Sequence, residues 1–316
     1  MKKNLISIKD LTKKDIADIF SLTDRLKRTP HKFSDVLKGK MLALIFQKPS
    51  CRTRVSLEVG MYQLGGSSLY LGPDQIKLGQ RESIGDIART LSRYVDGIAL
   101  RTFAHKNILQ MAKYATVPVI NALTDLLHPC QALTDIYTIR EKFTPLDSKH
   151  LTGFDNLKGI TLAFIGDGNN VCHSLLYGCS KVGLNLNIAT PVGYAPKQQI
   201  LEEAVSLAEM SGARINLFHK AEKAAHDADI IYTDVWASMG QEKQARIRKK
   251  QFRKFQVNKK LLSLAKEKCL IMHCLPAHRG EEITDDVIDS ANSIVFDQAE
   301  NRLHVQKAIL IMLLKT

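Results

Sequence analysis

Short apolar runs alternate along this chain with longer stretches in which apolar residues recur every three or four positions. The runs Met41–Phe46, 67–71, 98–102 and 117–121 read as strands, and the stretches near 52–64, 83–94 and 105–115 between them read as helices. Near-continuous apolar strands separated by helices specify a parallel sheet covered by those helices. The polar segment 144–153 (Thr-Pro-Leu-Asp-Ser-Lys-His-Leu-Thr-Gly) breaks the rhythm and reads as a domain junction. A helix near 132–142 precedes that junction, and a second series follows at Thr161–Ile165, 186–189, Ile230–Thr233, Leu270–His273 and 294–296, with helices near 170–182, 198–211, 241–254, 258–267 and 283–290 between them. The expected fold class is therefore α/β with two domains, 1–143 and 144–297, each a parallel β-sheet flanked by helices, and a last helix over 298–316.

Length and composition support this reading. At 316 residues the chain exceeds what one core usually serves, so two domains can each bury their own. With 45% apolar and 24% charged residues the composition is that of an ordinary globular protein, which excludes a disordered chain. No apolar run reaches membrane-spanning length; the last, 308–314, is too short and ends in Lys-Thr. The first residues pass directly into a helix with a capping box at Thr12 and Asp15, leaving no room for a signal or transit peptide, so a cytoplasmic location is expected. Without a signal, the six cysteines, none in a Cys-x-x-Cys pair, are expected to be reduced thiols.

The excess of 45 Lys and Arg over 32 Asp and Glu raises a nucleic-acid reading. The charge is scattered, however, and the one dense run, 246–254, reads as a solvated helix face with no zinc-finger, RNP or heptad pattern beside it. No nucleic-acid partner is expected; attraction of small anionic substrates accounts for the charge. His273, Cys274 and His278 lack the helical or knuckle spacing of zinc ligands, so no metal is expected.

Candidate chemistry begins where the strand at Phe46 runs into Gln-Lys-Pro-Ser50-Cys51-Arg52-Thr53 and then a helix. A helix N-terminus favours an anion, Ser50 and Thr53 add hydroxyls, and Arg52 adds a guanidinium matched to phosphate oxygens. No Gly-x-x-x-x-Gly-Lys-Ser/Thr occurs, which argues against ATP. Arg101 stands at a strand end, and His128-Pro-Cys-Gln131 opens a helix after another. These are the places where open α/β sheets hold ligands. The turn Gly166-Asp-Gly-Asn-Asn170 lacks the third glycine of a dinucleotide fingerprint, and Thr190-Pro191 stands where a ribose-binding acid belongs, which argues against a nicotinamide cofactor. Asp234 at a strand end suits an α-ammonium group or, alternatively, the cap of the next helix.

Four motifs in this order, Ser50-Cys-Arg-Thr-Arg54, Arg101-Thr-Phe-Ala-His105, His128-Pro-Cys-Gln131 and His273-Cys-Leu-Pro-Ala277, resemble the aspartate/ornithine carbamoyltransferase family over nearly the whole chain. Asp167-Gly-Asn-Asn-Val171 and Asp234-Val-Trp-Ala-Ser-Met-Gly240 resemble its ornithine branch. The resemblance implies an active site in the interdomain cleft, a last helix packed back on the first domain, and a homotrimer or multiple of trimers. It also implies transfer of the carbamoyl group from carbamoyl phosphate to the δ-amine of L-ornithine, giving L-citrulline and phosphate without a cofactor. Ser50, Cys51, Arg52 and Thr53 then hold the phosphate, and Thr53, Arg101 and His128 meet the carbonyl oxygen. Gln131 and the backbone at Cys274 and Leu275 accept from the carbamoyl NH₂, and Arg302 completes the pocket. Asn170, Asp234, Ser238 and Met239 bind ornithine. Cys274 positions or deprotonates the amine, its alternative being a space filler. Putrescine, with no carboxylate for Asn170, ranks second as acceptor. Two positions depart from the pattern: Cys51 replaces a hydroxyl residue, and Lys77, in a loop that reaches a neighbouring subunit's site in relatives, stands where glutamine is usual, so that it adds a cation at the carbamoyl phosphate site or, alternatively, is a surface change.

Overall fold

The computed structural model describes residues 3–79, 81–144, 153–237 and 244–315. Most of the expected junction, 145–152, lies outside them, as do Ser238 and Met239. The chain forms two compact units, one of Met1–Tyr137 with Glu300–Thr316 and one of Thr138–Ala299.

In the first unit, strands β1 (Met41–Phe46), β2 (Ser67–Leu71), β3 (Gly97–Arg101) and β4 (Val119–Leu123) form one parallel sheet in the order β2-β1-β3-β4. β3 is buried along its length and β1 nearly so, whereas the edge strand β2 is half exposed, which is why its apolar pattern is the weakest of the four. Ile108 and Met111 of the helix His105–Tyr114 join Ile45, Ile98 and Leu100 in one apolar cluster, each buried side chain contributing about 2 kcal/mol. The chain leaves β1 for β2 on one side, and β3 lies on the other. The carboxyl ends of β1 and β3, Phe46 and Arg101, are therefore paired at the point where the connections diverge, where open sheets bind ligands.

The second unit repeats the logic. Strands β5 (Thr161–Ile165), β6 (Asn185–Ala189), β7 (Ile215–Phe218), β8 (Ile230–Thr233) and β9 (Leu270–His273) are all parallel, in the order β7-β6-β5-β8-β9. Here the divergence falls between β5 and β8, whose last residues Ile165 and Thr233 are in register. Gly168, in the loop after β5, donates its N–H to Tyr194 O at 2.9 Å, and a Cβ there would lie 2.3 Å from Pro196 N. Only glycine lets these two loops close on each other.

Several elements differ from expectation. Residues 294–296 are not a strand: Ser293 makes an isolated bridge to Ile271, and the last helix, Val295–Leu314, starts immediately afterwards. A three-residue apolar run fits a buried first turn as well as a strand, and periodicity cannot separate them. β7, not anticipated, is a short edge strand whose alternation Ile-Asn-Leu-Phe is too brief to stand out. Helices expected at 258–267 and 283–290 shrink to Lys259–Leu262 and Asp285–Ile288, and that expected at 241–254 is Ala245–Phe252 among the described residues. The capping box of the first helix, Lys13–Arg28, forms as expected, with Thr12 N donating to Asp15 and Asp15 N donating to Thr12. No helix of the described residues is long and apolar enough to cross a membrane.

Candidate functional site

The anion cradle is assembled on the first unit's sheet. Ser50 caps the helix Cys51–Gln63, its Oγ accepting from Thr53 N at 3.3 Å. Cys51 is exposed and Arg52 half-buried at the first turn, while Thr53 is buried. Onto Thr53 comes a residue from far along the chain: Arg302, in the helix Val295–Leu314, donates Nη2 to Thr53 Oγ1 at 2.9 Å and Nη1 to Gln131 Oε1 at 2.5 Å. Gln306, with its amide turned to satisfy both ends, accepts from Arg302 Nε at 3.2 Å and donates to Ser56 Oγ. Arg302 is thus buried and held by acceptors on three sides.

Arg101 ends β3 and is buried, as is His128 immediately before the helix Pro129–Lys142. Burial, then the positive charges of Arg302 and Arg101, hold the His128 imidazole well below its ordinary pKa, so it is neutral at pH 7. Two buried guanidiniums, a neutral imidazole, a hydroxyl and a helix N-terminus form a cluster whose electrostatics favour an anion carrying more than one charge.

The sequence did not flag Lys48. It is buried, pairs with Asp125, and lies 4.3 Å from the centre of the Phe103 ring, so it ties together the loops after β1, β3 and β4. Neither its odd spacing nor its neighbours signalled this, because its partners come from two other loops. Lys77 is exposed at φ 39°, closing the short helix Pro73–Ile76, and among the described residues no side-chain hydrogen bond or ion pair joins it to the cradle.

The neutral state of His128 has a measurable consequence. An unfolded histidine takes up a proton below about pH 6.5, whereas native His128 resists it, so its contribution to stability is present above that pH and is lost as pH falls. Between pH 7.5 and 5.5 this amounts to up to about 1.4 kcal/mol. Thermal unfolding of His128→Gln should therefore depend less steeply on acid than that of the parent; parallel curves would show that His128 is not the group concerned.

In the second unit, Asp234 follows β8 and is the centre of a polar cluster. Its Oδ2 accepts from Asn169 Nδ2 at 2.7 Å, and its Oδ1 accepts from Val235 N at 2.8 Å and from the Cys274 thiol at 3.0 Å. Asp234 therefore does not act as a simple helix cap. Asn169 also caps the helix Asn170–Val182 by accepting from Val171 N and Cys172 N. Asn170 begins that helix, half-buried.

One arginine of the run 246–254 departs from the expected solvated face. Arg248 is buried and donates Nη1 to Asp167 Oδ2 and to Trp236 O, each at 2.8 Å, while its guanidinium lies 4.9 Å from the Tyr194 ring centre. It thereby joins the loops after β5 and β8. Burial pushes the Asp167 carboxyl up, and Arg248 opposes that shift. Its partners lie in loops the local pattern cannot connect to it.

His273 ends β9 with both ring nitrogens engaged: Nδ1 accepts from Leu275 N at 2.8 Å, and Nε2 faces Glu282 Oε1 at 3.1 Å. That turns the half-buried Leu275, at φ 57°, away from β9. Donor atoms of Asp234, His273 and Cys274 lie within 4.8 Å of one another, with His278 not among them. A metal at this trio would have to displace the Leu275 or Glu282 contact of His273 and the Asn169 or Val235 contacts of Asp234. All six cysteines are free thiols.

Two parallel α/β units, one with a basic phosphate-type cradle and one with a buried carboxylate oriented by three donors, are the equipment of a group-transfer enzyme working on an anionic donor. Residues 3–141 match the aspartate/ornithine carbamoyltransferase carbamoyl-P binding domain, and residues 158–313 match the Asp/Orn binding domain of the same enzymes. The chain belongs to the aspartate/ornithine carbamoyltransferase family. It is 50% identical, over 99% of its length and 96% of the relative, to the ornithine carbamoyltransferase of Thermococcus kodakarensis. Among solved structures it is similar to ornithine carbamoyltransferase from Pyrococcus furiosus, with a TM-score of 0.92 at 50% identity over 98% of this chain and 96% of that one. The anabolic enzyme of Campylobacter jejuni matches at TM-score 0.90 and 35% identity, over 98% of both chains.

Proposed function

We propose that this protein transfers the carbamoyl group of carbamoyl phosphate to the δ-amine of L-ornithine, forming L-citrulline and phosphate in arginine biosynthesis. The observation that carries the reading is Arg302, a buried cation that sets the hydroxyl of the cradle, Thr53, beside an amide oxygen, Gln131. A phosphate and an N–H donor on the adjacent carbon are what such a pair accommodates. The choice of ornithine as acceptor is supported by relatives of that name at about half identity over the full chain.

In this reading Ser50, Arg52, Thr53 and the backbone N–H of Cys51 hold the phosphate. The neutral amine nitrogen attacks the carbamoyl carbon, its carbonyl oxygen gains charge, the bond to the phosphate oxygen breaks, and the amine passes its proton to the departing phosphate. Arg101, Thr53 and neutral His128 donate to that oxygen, and no reorganisation is needed because burial has already oriented them. Gln131 and the carbonyls at Cys274 and Leu275 accept from the carbamoyl NH₂. Asp234 and Ser238 take the α-ammonium of ornithine, and Asn170 and the Met239 backbone take its carboxylate; Asn169 and Arg248 brace the loops after β5 and β8. Cys274 donates its S–H to Asp234, which fixes the thiol at the ornithine site, where its role is to position the δ-amine. Lys77 extends the cradle of a neighbouring subunit in a homotrimer. Exposed Val55, Tyr62 and Leu69, on the helix Cys51–Gln63 and the edge strand β2, supply apolar surface for that assembly. Free thiols throughout fit a reducing cytoplasmic setting.

The test offers ornithine, putrescine, aspartate and N-acetylornithine separately with carbamoyl phosphate and follows the carbamoylated product. Ornithine should exceed putrescine by roughly a hundredfold or more in kcat/KM, since unpaired groups left by a missing carboxylate are heavily penalised. Preference for putrescine or aspartate would reject the assignment.

A further inference from the structure

We propose that Asp135 sets the polarity of the Gln131 side chain and so makes the donor site select phosphates that carry an N–H on the transferred carbon. The inference rests on the carbamoyl-transfer reading and deepens it, adding a positioning residue that acts through Gln131.

A glutamine amide has chemically opposite ends, and which end faces a ligand depends on its neighbours. Asp135 lies one turn after Gln131 on the helix Pro129–Lys142 and is fully buried, with Oδ1 receiving Gln131 Nε2 at 2.8 Å. A carboxylate only accepts. At the other end, Arg302 Nη1 donates to Gln131 Oε1 at 2.5 Å, and a guanidinium only donates. Each end demands the same orientation. A reversed amide would set NH₂ against guanidinium and oxygen against carboxylate, replacing two charge-assisted hydrogen bonds with two repulsive contacts.

The consequence reaches the ligand. Gln131 Oε1 uses one lone pair on Arg302 and keeps the second, at the end of the amide nearer the Arg302 contact to Thr53 Oγ1. A lone pair there can be used by an N–H and not by a methyl group. Carbamoyl phosphate carries NH₂ where acetyl phosphate carries CH₃, while the phosphates are identical. The phosphate cradle therefore binds both, and the Asp135–Gln131 pair separates them. Without Asp135, Nε2 loses its anchor and the buried amide is free to rotate away.

The experiment uses the full-length enzyme at saturating ornithine and measures KM for carbamoyl phosphate together with Ki for acetyl phosphate as competitive inhibitor. Asp135→Leu should raise KM for carbamoyl phosphate roughly tenfold while changing the acetyl phosphate Ki less than about threefold, since one ligand hydrogen bond is lost and the cradle is untouched. Gln131→Met should show the same loss, and adding Asp135→Leu to it should cost no further discrimination, because residues acting through one contact are not additive. Should Asp135→Leu fail to fold, Asp135→Ser, which no longer demands a donor, takes its place with the same expected direction. Asp135→Glu, still an acceptor, should recover part of the discrimination. Equal changes in KM and Ki, an unchanged ratio in the Asp135 variants, or full additivity with Gln131→Met would overturn the role of Asp135. A parent enzyme that binds acetyl phosphate as tightly as carbamoyl phosphate would instead reject Gln131 as the discriminating group.

Discussion

Arg302→Met should lower kcat/KM for carbamoyl phosphate by about a thousandfold, or about 4 kcal/mol, the scale of a lost preorganised charge at a developing negative centre. The geometry explains why so much depends on one side chain. Arg302 contacts Thr53 and Gln131 at once, so its removal takes a cation from the cradle and leaves Thr53 Oγ1 and Gln131 Oε1 without their donor. Arg302→Lys restores a charge but not the fork, and should recover only part of the loss because one ammonium cannot reproduce both contacts. Circular dichroism and thermal unfolding separate this from collapse of the fold. Turnover of Arg302→Met within a few-fold of the parent would remove Arg302 from the donor site.

Asp234→Asn should raise KM for ornithine by about a hundredfold while leaving binding of carbamoyl phosphate within about threefold, because hydrogen bonds to a charged group are worth about 1.5–3 kcal/mol and the cradle lies on the other sheet. Asn169 Nδ2, Val235 N and the Cys274 thiol all donate to this carboxylate, so the ornithine ammonium would be a further donor to a group already oriented by three others. The asparagine keeps the shape and removes the charge. Isothermal titration with carbamoyl phosphate, alongside ornithine kinetics, reads the two effects separately. Equal weakening of both ligands would make Asp234 a structural residue.

Much of this was legible in the sequence because it is local. Strands β1, β5, β8 and β9 were read at their observed bounds, since buried parallel strands are uninterrupted apolar runs. The Thr12 and Asp15 capping box depends on neighbours three residues apart. The motifs around Arg52, Arg101, His128, Asp234 and Cys274 all stand at or just beyond strand ends or at helix starts, where local pattern alone puts them near a ligand edge.

What the sequence could not supply were partners brought together from a distance. Arg302 meets Gln131 across 171 residues, and Arg248 meets Asp167 across 81, so neither pairing leaves a trace in local periodicity. Arg248 sat in a charge run that reads as solvated surface until Asp167, Trp236 and Tyr194 close around it. The strand 294–296 failed and β7 went unseen for one reason: three or four apolar residues carry too little period to choose between helix and strand, and packing makes the choice. The sequence determined which residue types stand at the strand ends. The order of the strands, the neutral state of His128 and the orientation of the Gln131 amide were decided by tertiary structure, because burial and the charge of residues remote in sequence set them.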